Sequence, residues 1–167
     1  MTCSQCQGIE DLFSEAYVAG ELKRYRKRGP DKTTRILIEA LKKEGVKGET
    51  LLDIGGGLGA IQHELLQAGV QSATDIEASN AYFNAVKEET ARRGYADRVD
   101  YRHGNFVELA DEVPPADIVT LNRVICCYPE LEKMVNLSAS RAGKLYGLVY
   151  PRTDWWMKIW HILQSAF

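Results

Sequence analysis

The stretch Thr50-Leu51-Leu52-Asp53-Ile54-Gly55-Gly56-Gly57-Leu58-Gly59-Ala60 constrains this chain more than any other. Thr50 to Ile54 is a short, mostly apolar run ended by glycines, the pattern of a central parallel strand buried on both faces. Gly55, Gly57 and Gly59 remove side chains where a ligand backbone or phosphate could approach. Helix formers follow at once: Leu58, Ala60, Ile61, Glu64, Leu65 and Leu66. A strand, a glycine turn and a helix N-terminus together make a cradle for a cofactor.

Two cofactor classes use such a cradle. Read as G-x-G-x-x-A, Gly55, Gly57 and Ala60 fit the dinucleotide fingerprint, with Asp75 roughly 20 residues downstream. Read as D-x-G-x-G-x-G, Asp53, Gly55, Gly57 and Gly59 resemble motif I of the class I S-adenosylmethionine-dependent methyltransferases. The second reading also accounts for Asp53, which has no role in a nicotinamide fingerprint. The resemblance implies that Asp53 lies beside the methionine end of the cofactor, which carries positive charge.

A chain of 167 residues suits one domain with one sizeable core. We expect residues 1–48 to form a helical cap and 49–167 an α/β core. At 45% hydrophobic and 26% charged residues the composition is that of an ordinary globular chain. A net charge of -2 makes no electrostatic case for nucleic acid. No apolar run approaches the length of a membrane span. The polar start, Met1 to Glu10, lacks a signal-peptide pattern, and four cysteines then suggest reduced thiols in a cytoplasm. Cys3 and Cys6 form a C-x-x-C, which serves zinc or redox chemistry in other settings. A structural zinc needs four ligands, and Cys126 and Cys127 stand in a different context. A reduced terminus without metal is the preferred reading.

Helical spacing begins near Gly8 and continues through Leu22 and Tyr25. The basic run Lys23–Arg28 suits a solvated helix end, where cations complement the dipole. The resemblance adds a second reading, since N-terminal helices of the family often form a lid: Tyr25 closes over the cofactor carboxylate. Asp31 caps the next helix, through Lys43, with Ile36, Leu37, Ala40 and Leu41 as its buried stripe. Beyond the glycine loop and its helix, Val70 to Ile76 reads as a second strand. Ser79 caps a helix through Arg93, Asp97 to Arg102 is a third strand, and Ala116 to Leu121 a fourth. A helix from about Leu131 leads to a fifth strand, Gly143 to Tyr150. A last helix carries Trp155, Trp156 and Trp160.

Three further segments carry the resemblance. Thr74-Asp75-Ile76-Glu77-Ala78-Ser79 is similar to the family's V-D-x-S run, which implies that Asp75 anchors the adenosine ribose and Ile76 packs on the adenine. Gly104-Asn105-Phe106 resembles G-D-F-x-x-L, with Asn105 where an acid usually accepts from the adenine amino group; an amide oxygen can accept that bond too. Ala116-Asp117-Ile118-Val119 resembles motif IV and places Asn122 and Arg123 beside the methyl donor; the alternative is that Asn122 caps the next turn. The resemblance covers roughly residues 20–150.

Strands alternating with helices predict a doubly wound, Rossmann-like α/β domain with a parallel sheet in the order 3-2-1-4-5. The implied function is transfer of a methyl group from S-adenosylmethionine to a small-molecule acceptor. The expected cofactor residues are Tyr25, Asp53, Gly55, Gly57, Gly59, Asp75, Ile76, Asn105, Phe106, Asn122 and Arg123. No catalytic residue is identified. An NAD(P)-dependent oxidoreductase and a non-catalytic S-adenosylmethionine-binding module are the alternatives. The chain ends where the family usually adds an antiparallel strand pair, so we expect a shortened form or fragment that self-associates through the edge of strand 5.

Overall fold

Two side-chain caps start the first helices. The Ser14 hydroxyl accepts from the Tyr17 N–H and opens α1 (Glu15–Arg28). The Asp31 carboxylate accepts from the Thr33 and Thr34 N–H groups and opens α2 (Lys32–Glu44). The computed structural model describes residues 13–125, 128 and 130–149. Cys3, Cys6, Cys126, Cys127, the expected helix start near Gly8 and the tryptophan-bearing last helix lie outside those residues.

From α2 the chain enters β1 (Thr50–Ile54), α3 (Ala60–Gln67), β2 (Ser72–Glu77) and α4 (Asn80–Arg92). It continues through β3 (Val99–His103), α5 (Phe106–Leu109), β4 (Ala116–Asn122), α6 (Leu131–Ser140) and β5 (Ala142–Val149). All four strand pairings are parallel, and the sheet order is β3-β2-β1-β4-β5. This is the doubly wound α/β fold expected, in the expected order. Because parallel neighbours need crossovers, the helices fall on the two faces of the sheet.

The period of two in each strand sorts the core into two layers. Leu51, Ala73 and Ile118 pack with Ile38 and Leu41 of α2 and Ile61, Leu65 and Leu66 of α3. Leu52, Ile54, Ile76, Val119 and Leu121 pack with Phe106, Ala110, Val113 and Met134 on the other face. Each of the larger side chains here (Leu, Ile, Val, Phe, Met), fully buried, contributes about 1.5–3 kcal/mol.

Two elements depart from the sequence reading. The inward stripe of α2 is Thr34, Ile38 and Leu41, whereas Ile36 is 61% exposed and Ala40 faces solvent. A polar residue, Thr34, holds an inward place because its hydroxyl donates to Asp31 (2.8 Å) and accepts from Asn122 (3.0 Å). Hydrophobic periodicity alone skips such a position. Strand β2 begins at Ser72 rather than Val70 and ends at Glu77. The Val70 N–H donates to the Leu65 carbonyl and that of Gly69 to Leu66, with Gly69 at φ 106. That closes α3 as a Schellman motif and postpones the strand.

Candidate functional site

The glycine loop runs from the end of β1 into α3 at the carboxyl edge of the sheet, where ligands of doubly wound folds lie. Gly55, Gly57 and Gly59 sit at φ 61, 60 and 69, a left-handed backbone that other residues rarely adopt. A Cβ at Gly59 would lie 2.7 Å from Gln62 Nε2 and from Val86 Cγ2, so this glycine is also closed in by packing. At Gly55 a Cβ would meet Val124 Cγ2 at 2.4 Å, which sets the chain leaving β4 directly against the loop.

Gly56 has an ordinary φ, and its reason for being glycine is what lies beneath it. A Cβ there would meet Asp53 Oδ2 at 2.6 Å and Asp75 Oδ2 at 3.2 Å. Asp53 and Asp75 are register partners on β1 and β2, and both are fully buried. The Thr120 hydroxyl donates to Asp53 Oδ1 (2.7 Å). Among the described residues, neither oxygen of Asp75 has a hydrogen-bond partner, nor does Asp53 Oδ2. Burial raises the Asp53 carboxyl to about 6, against the Thr120 hydrogen bond and with help from the negative charge of Glu77. Burial, then the charges of Asp53 and Glu77, push Asp75 well above the usual carboxylate range.

Glu77, the last residue of β2, stands at the mouth of this group. Its Oε2 accepts from the Gly57 N–H (3.1 Å) and its Oε1 from the Ser79 N–H (2.9 Å). Burial raises its carboxyl, and those N–H bonds oppose the rise. Glu77 thus ties β2 to the glycine loop, whereas Asp75 lies deeper, two residues back on the same side of the strand. Ile76 points to the opposite face, 1% exposed, in the layer with Leu52, Ile54 and Phe106. The alternation that brings Asp75 and Glu77 together therefore removes Ile76 from the place at the adenine that the sequence reading gave it. The residue beside Glu77 is Ala78.

Asn105 is the N-cap of α5: its Oδ1 accepts from the Val107 N–H (3.1 Å), and its Nδ2 donates to the Tyr128 hydroxyl (3.1 Å). Phe106 is 2% exposed, with its ring in the core. At the end of β4, Asn122 Nδ2 donates to the Thr34 hydroxyl (3.0 Å), and the Arg123 guanidinium pairs with Asp31. Arg123 is the non-glycine residue at positive φ (64) among those described. These two side chains bind the N-terminus of α2 to β4, a structural tie the sequence reading did not anticipate. Burial raises the Asp31 carboxyl, but hydrogen bonds from Thr33 and Thr34 and the Arg123 charge outweigh it and hold the group at about 2.

Tyr25 is 6% exposed and is engaged with His63 rather than directed at the loop. The Thr90 hydroxyl donates to the Val86 carbonyl (2.7 Å), so toward His63 Nε2 (2.8 Å) it can only accept. His63 therefore carries its proton on Nε2, and the Tyr25 hydroxyl donates to Nδ1 (3.2 Å). Burial and the Arg93 charge lower the imidazole to about 3, which keeps it neutral. The helix over the loop is held by other residues. The Tyr82 ring lies 3.8 Å from where a Gly57 Cβ would be, its hydroxyl donates to Glu21 (3.0 Å), and Phe13 packs edge-on against it at 5.1 Å.

The sequence model of the O-methyltransferase domain matches residues 4–138, most of the chain. The chain belongs to the O-methyltransferase domain family. No curated protein matches it with significance. Solved structures similar to this O-methyltransferase domain include magnesium protoporphyrin IX methyltransferase from Synechocystis PCC 6803 with bound S-adenosylhomocysteine. There the identity is 16% and the TM-score 0.70, over 96% of this chain and 78% of that one. A S-adenosylmethionine-dependent methyltransferase from Thiobacillus denitrificans in complex with S-adenosylhomocysteine is 18% identical with a TM-score of 0.62, over 79% and 55%. A protein from Pyrococcus horikoshii, provisionally assigned as an RNA methyltransferase, is 14% identical with a TM-score of 0.63, over 83% and 67%. At such identities the likeness speaks for the fold. No helix among the described residues is long and apolar enough to cross a membrane.

Sequence reasoning missed Gly56 and Glu77. The local signal bearing on Glu77 was its distance from the cap: it precedes Ser79, the N-cap of α4, by two residues.

Proposed function

We propose that this domain transfers the methyl group of S-adenosylmethionine to an oxygen of a small-molecule acceptor. The observation that carries the reading is the glycine loop closed by Glu77 over a pair of buried acids with unpartnered oxygens. Those residues fit a ligand with hydroxyl groups at one end and positive charge at the other. Glu77 takes the ribose hydroxyls, in place of the Asp75 of the sequence reading. The backbone of Gly55 to Gly57 gives the ligand room, Asp53 faces its cationic part, and Asn105 with the Phe106 N–H meets the adenine. When bound, S-adenosylmethionine supplies an electrophilic methyl group on a sulfonium. The protein's own contribution is to position the acceptor and exclude water. α1 lies over the loop through Glu21 and Tyr82, and the tie from Asn122 and Arg123 to the start of α2 shapes the acceptor side. The net charge of -2 supports a small acceptor over a nucleic acid.

Calorimetric titration with S-adenosylhomocysteine and with NAD in parallel tests this reading. S-adenosylhomocysteine is expected to bind and NAD not to; the reverse would replace the function with an oxidoreductase. Glu77→Gln should weaken S-adenosylhomocysteine about tenfold, about 1.4 kcal/mol, because a charge-assisted bond becomes a neutral one. Unchanged affinity in the folded variant would return the ribose to Asp75.

A further inference from the structure

Four neighbouring strands place one polar residue each on a single line across the sheet. Thr120 of β4 is in register with Asp53 of β1, Asp53 with Asp75 of β2, and Asp75 with Tyr101 of β3. Gln62 of α3 and Thr90 of α4 adjoin the Tyr101 hydroxyl. Asp53, Asp75, Gln62, Thr90 and Thr120 are all fully buried. The line is satisfied at one end, where Thr120 donates to Asp53. Further along, among the described residues, Asp53 Oδ2, both Asp75 oxygens and Gln62 Oε1 have no hydrogen-bond partner. A row of unpartnered polar atoms inside a core is costly, and a native fold keeps one only where something else meets it.

The charges that act on the two aspartates are their own and that of Glu77, and all are acidic. Thr120, Gln62 and Tyr101 face them uncharged, and the loop adds no side chain at Gly56. His63 is neutral and turned to Tyr25 and Thr90. His103, at the end of β3, acts on Glu77 and lies 3.1 Å from the Ala78 carbonyl. Among the described residues no group of three or more ligating side chains is arranged to hold a metal ion. Two buried carboxylates side by side then keep at least one proton. Gly56 of the loop lies directly over them, and a Cβ there would meet Asp53 Oδ2 at 2.6 Å and Asp75 Oδ2 at 3.2 Å.

We propose that binding of S-adenosylmethionine over the loop expels a proton from the Asp53–Asp75 pair to solvent, so that the site favours the charged cofactor over its product. The product, S-adenosylhomocysteine, has lost the sulfonium charge and compensates the ionised pair less. This inference rests on the proposed function and adds a mechanism for product discrimination to it. The burial that lifts both carboxyls acts in the same direction. The free protein holds more protons than the complex, so affinity for S-adenosylmethionine rises with pH. The slope is about tenfold per pH unit for one proton, flattening above the range in which the pair titrates. Affinity for S-adenosylhomocysteine rises less.

Calorimetry near neutral pH in phosphate and in Tris, whose ionisation heats differ, counts the protons released. About one proton is expected per S-adenosylmethionine bound, fewer per S-adenosylhomocysteine, and none for S-adenosylmethionine in Asp75→Asn, which mimics the protonated acid. Binding with equal heats in both buffers would overturn the proton coupling and leave the proposed function standing. Failure of both ligands to bind would overturn both. If Asp75→Asn does not fold, carbon-13 spectra of the wild-type carboxyl groups decide. The pair should be protonated without ligand and lose a proton on adding S-adenosylmethionine, and a pair fully ionised beforehand would refute the mechanism.

Discussion

Glu89→Ala is expected to lower the stability of the domain by about 3 kcal/mol, the lower end of the range for removing one member of a buried ionic group. The Glu89 carboxylate has no exposed area and gathers three guanidiniums. Arg26 Nε of α1 donates at 2.8 Å, Arg92 at 2.8 and 2.6 Å, and Arg93 Nε at 2.8 Å. The arginines reach solvent, which moderates the loss. Removing the acid leaves three cations around one buried spot and removes one tie between α1 and α4, with Arg26–Glu88 and Tyr82–Glu21 remaining. Arg93 also stands 5.0 Å over the Tyr25 ring, so the Tyr25–His63 contact should loosen as well. Hydrogen bonds from Arg92 hold the carboxyl well below its ordinary range, against burial and with Arg26 and Arg93 assisting. A folded-state value below the unfolded one means the stabilisation is fully present above about pH 4.3 and is lost progressively as the pH falls below it. Thermal unfolding should therefore show a midpoint lower by about 6–12 °C at neutral pH for a domain of this size. Glu89→Gln, which keeps the shape, should fall in between. A loss below about 1 kcal/mol in urea titration would show that the cluster is only a solvated surface group.

Gly57→Val should reduce S-adenosylhomocysteine affinity by at least about a hundredfold, about 2.8 kcal/mol, while the domain stays folded. On the protein side there is space, since the nearest atoms to a Cβ are those of the Tyr82 ring at 3.8 Å. The obstacle is the backbone. At φ 60 a left-handed conformation costs an L-residue about 1–2 kcal/mol, and branching at Cβ adds to it. Relaxing out of that conformation turns the Gly57 N–H away from Glu77, so the strain and the loss of the site are one event. Circular dichroism melts with ligand titration separate the two effects. Gly57→Ala should show the same direction with a smaller loss. Full binding by a folded Gly57→Val protein would mean that the loop is only a tight turn.

The sequence by itself determined the order of elements, the parallel sheet and the glycine loop at its carboxyl edge. Those follow from signals within a few residues of one another. The apolar run before Gly55, the caps at Asp31 and Ser79, and the alternation of strand and helix each fix local backbone angles and one buried face. Which acid stands at the mouth of the site was decided by the tertiary structure. The choice between Asp75 and Glu77 turns on where β2 stops. That depends on the turn closing α3 at Gly69 and on pairing with β1 and β3. The same holds for Tyr25, whose partner His63 lies 38 residues away, for Asn122, 88 from Thr34, and for Arg123, 92 from Asp31. Nothing local in the sequence pairs such groups. Register across the sheet and the docking of helices on its faces bring them within hydrogen-bonding distance, because a buried polar group must find its partner wherever the fold has put one.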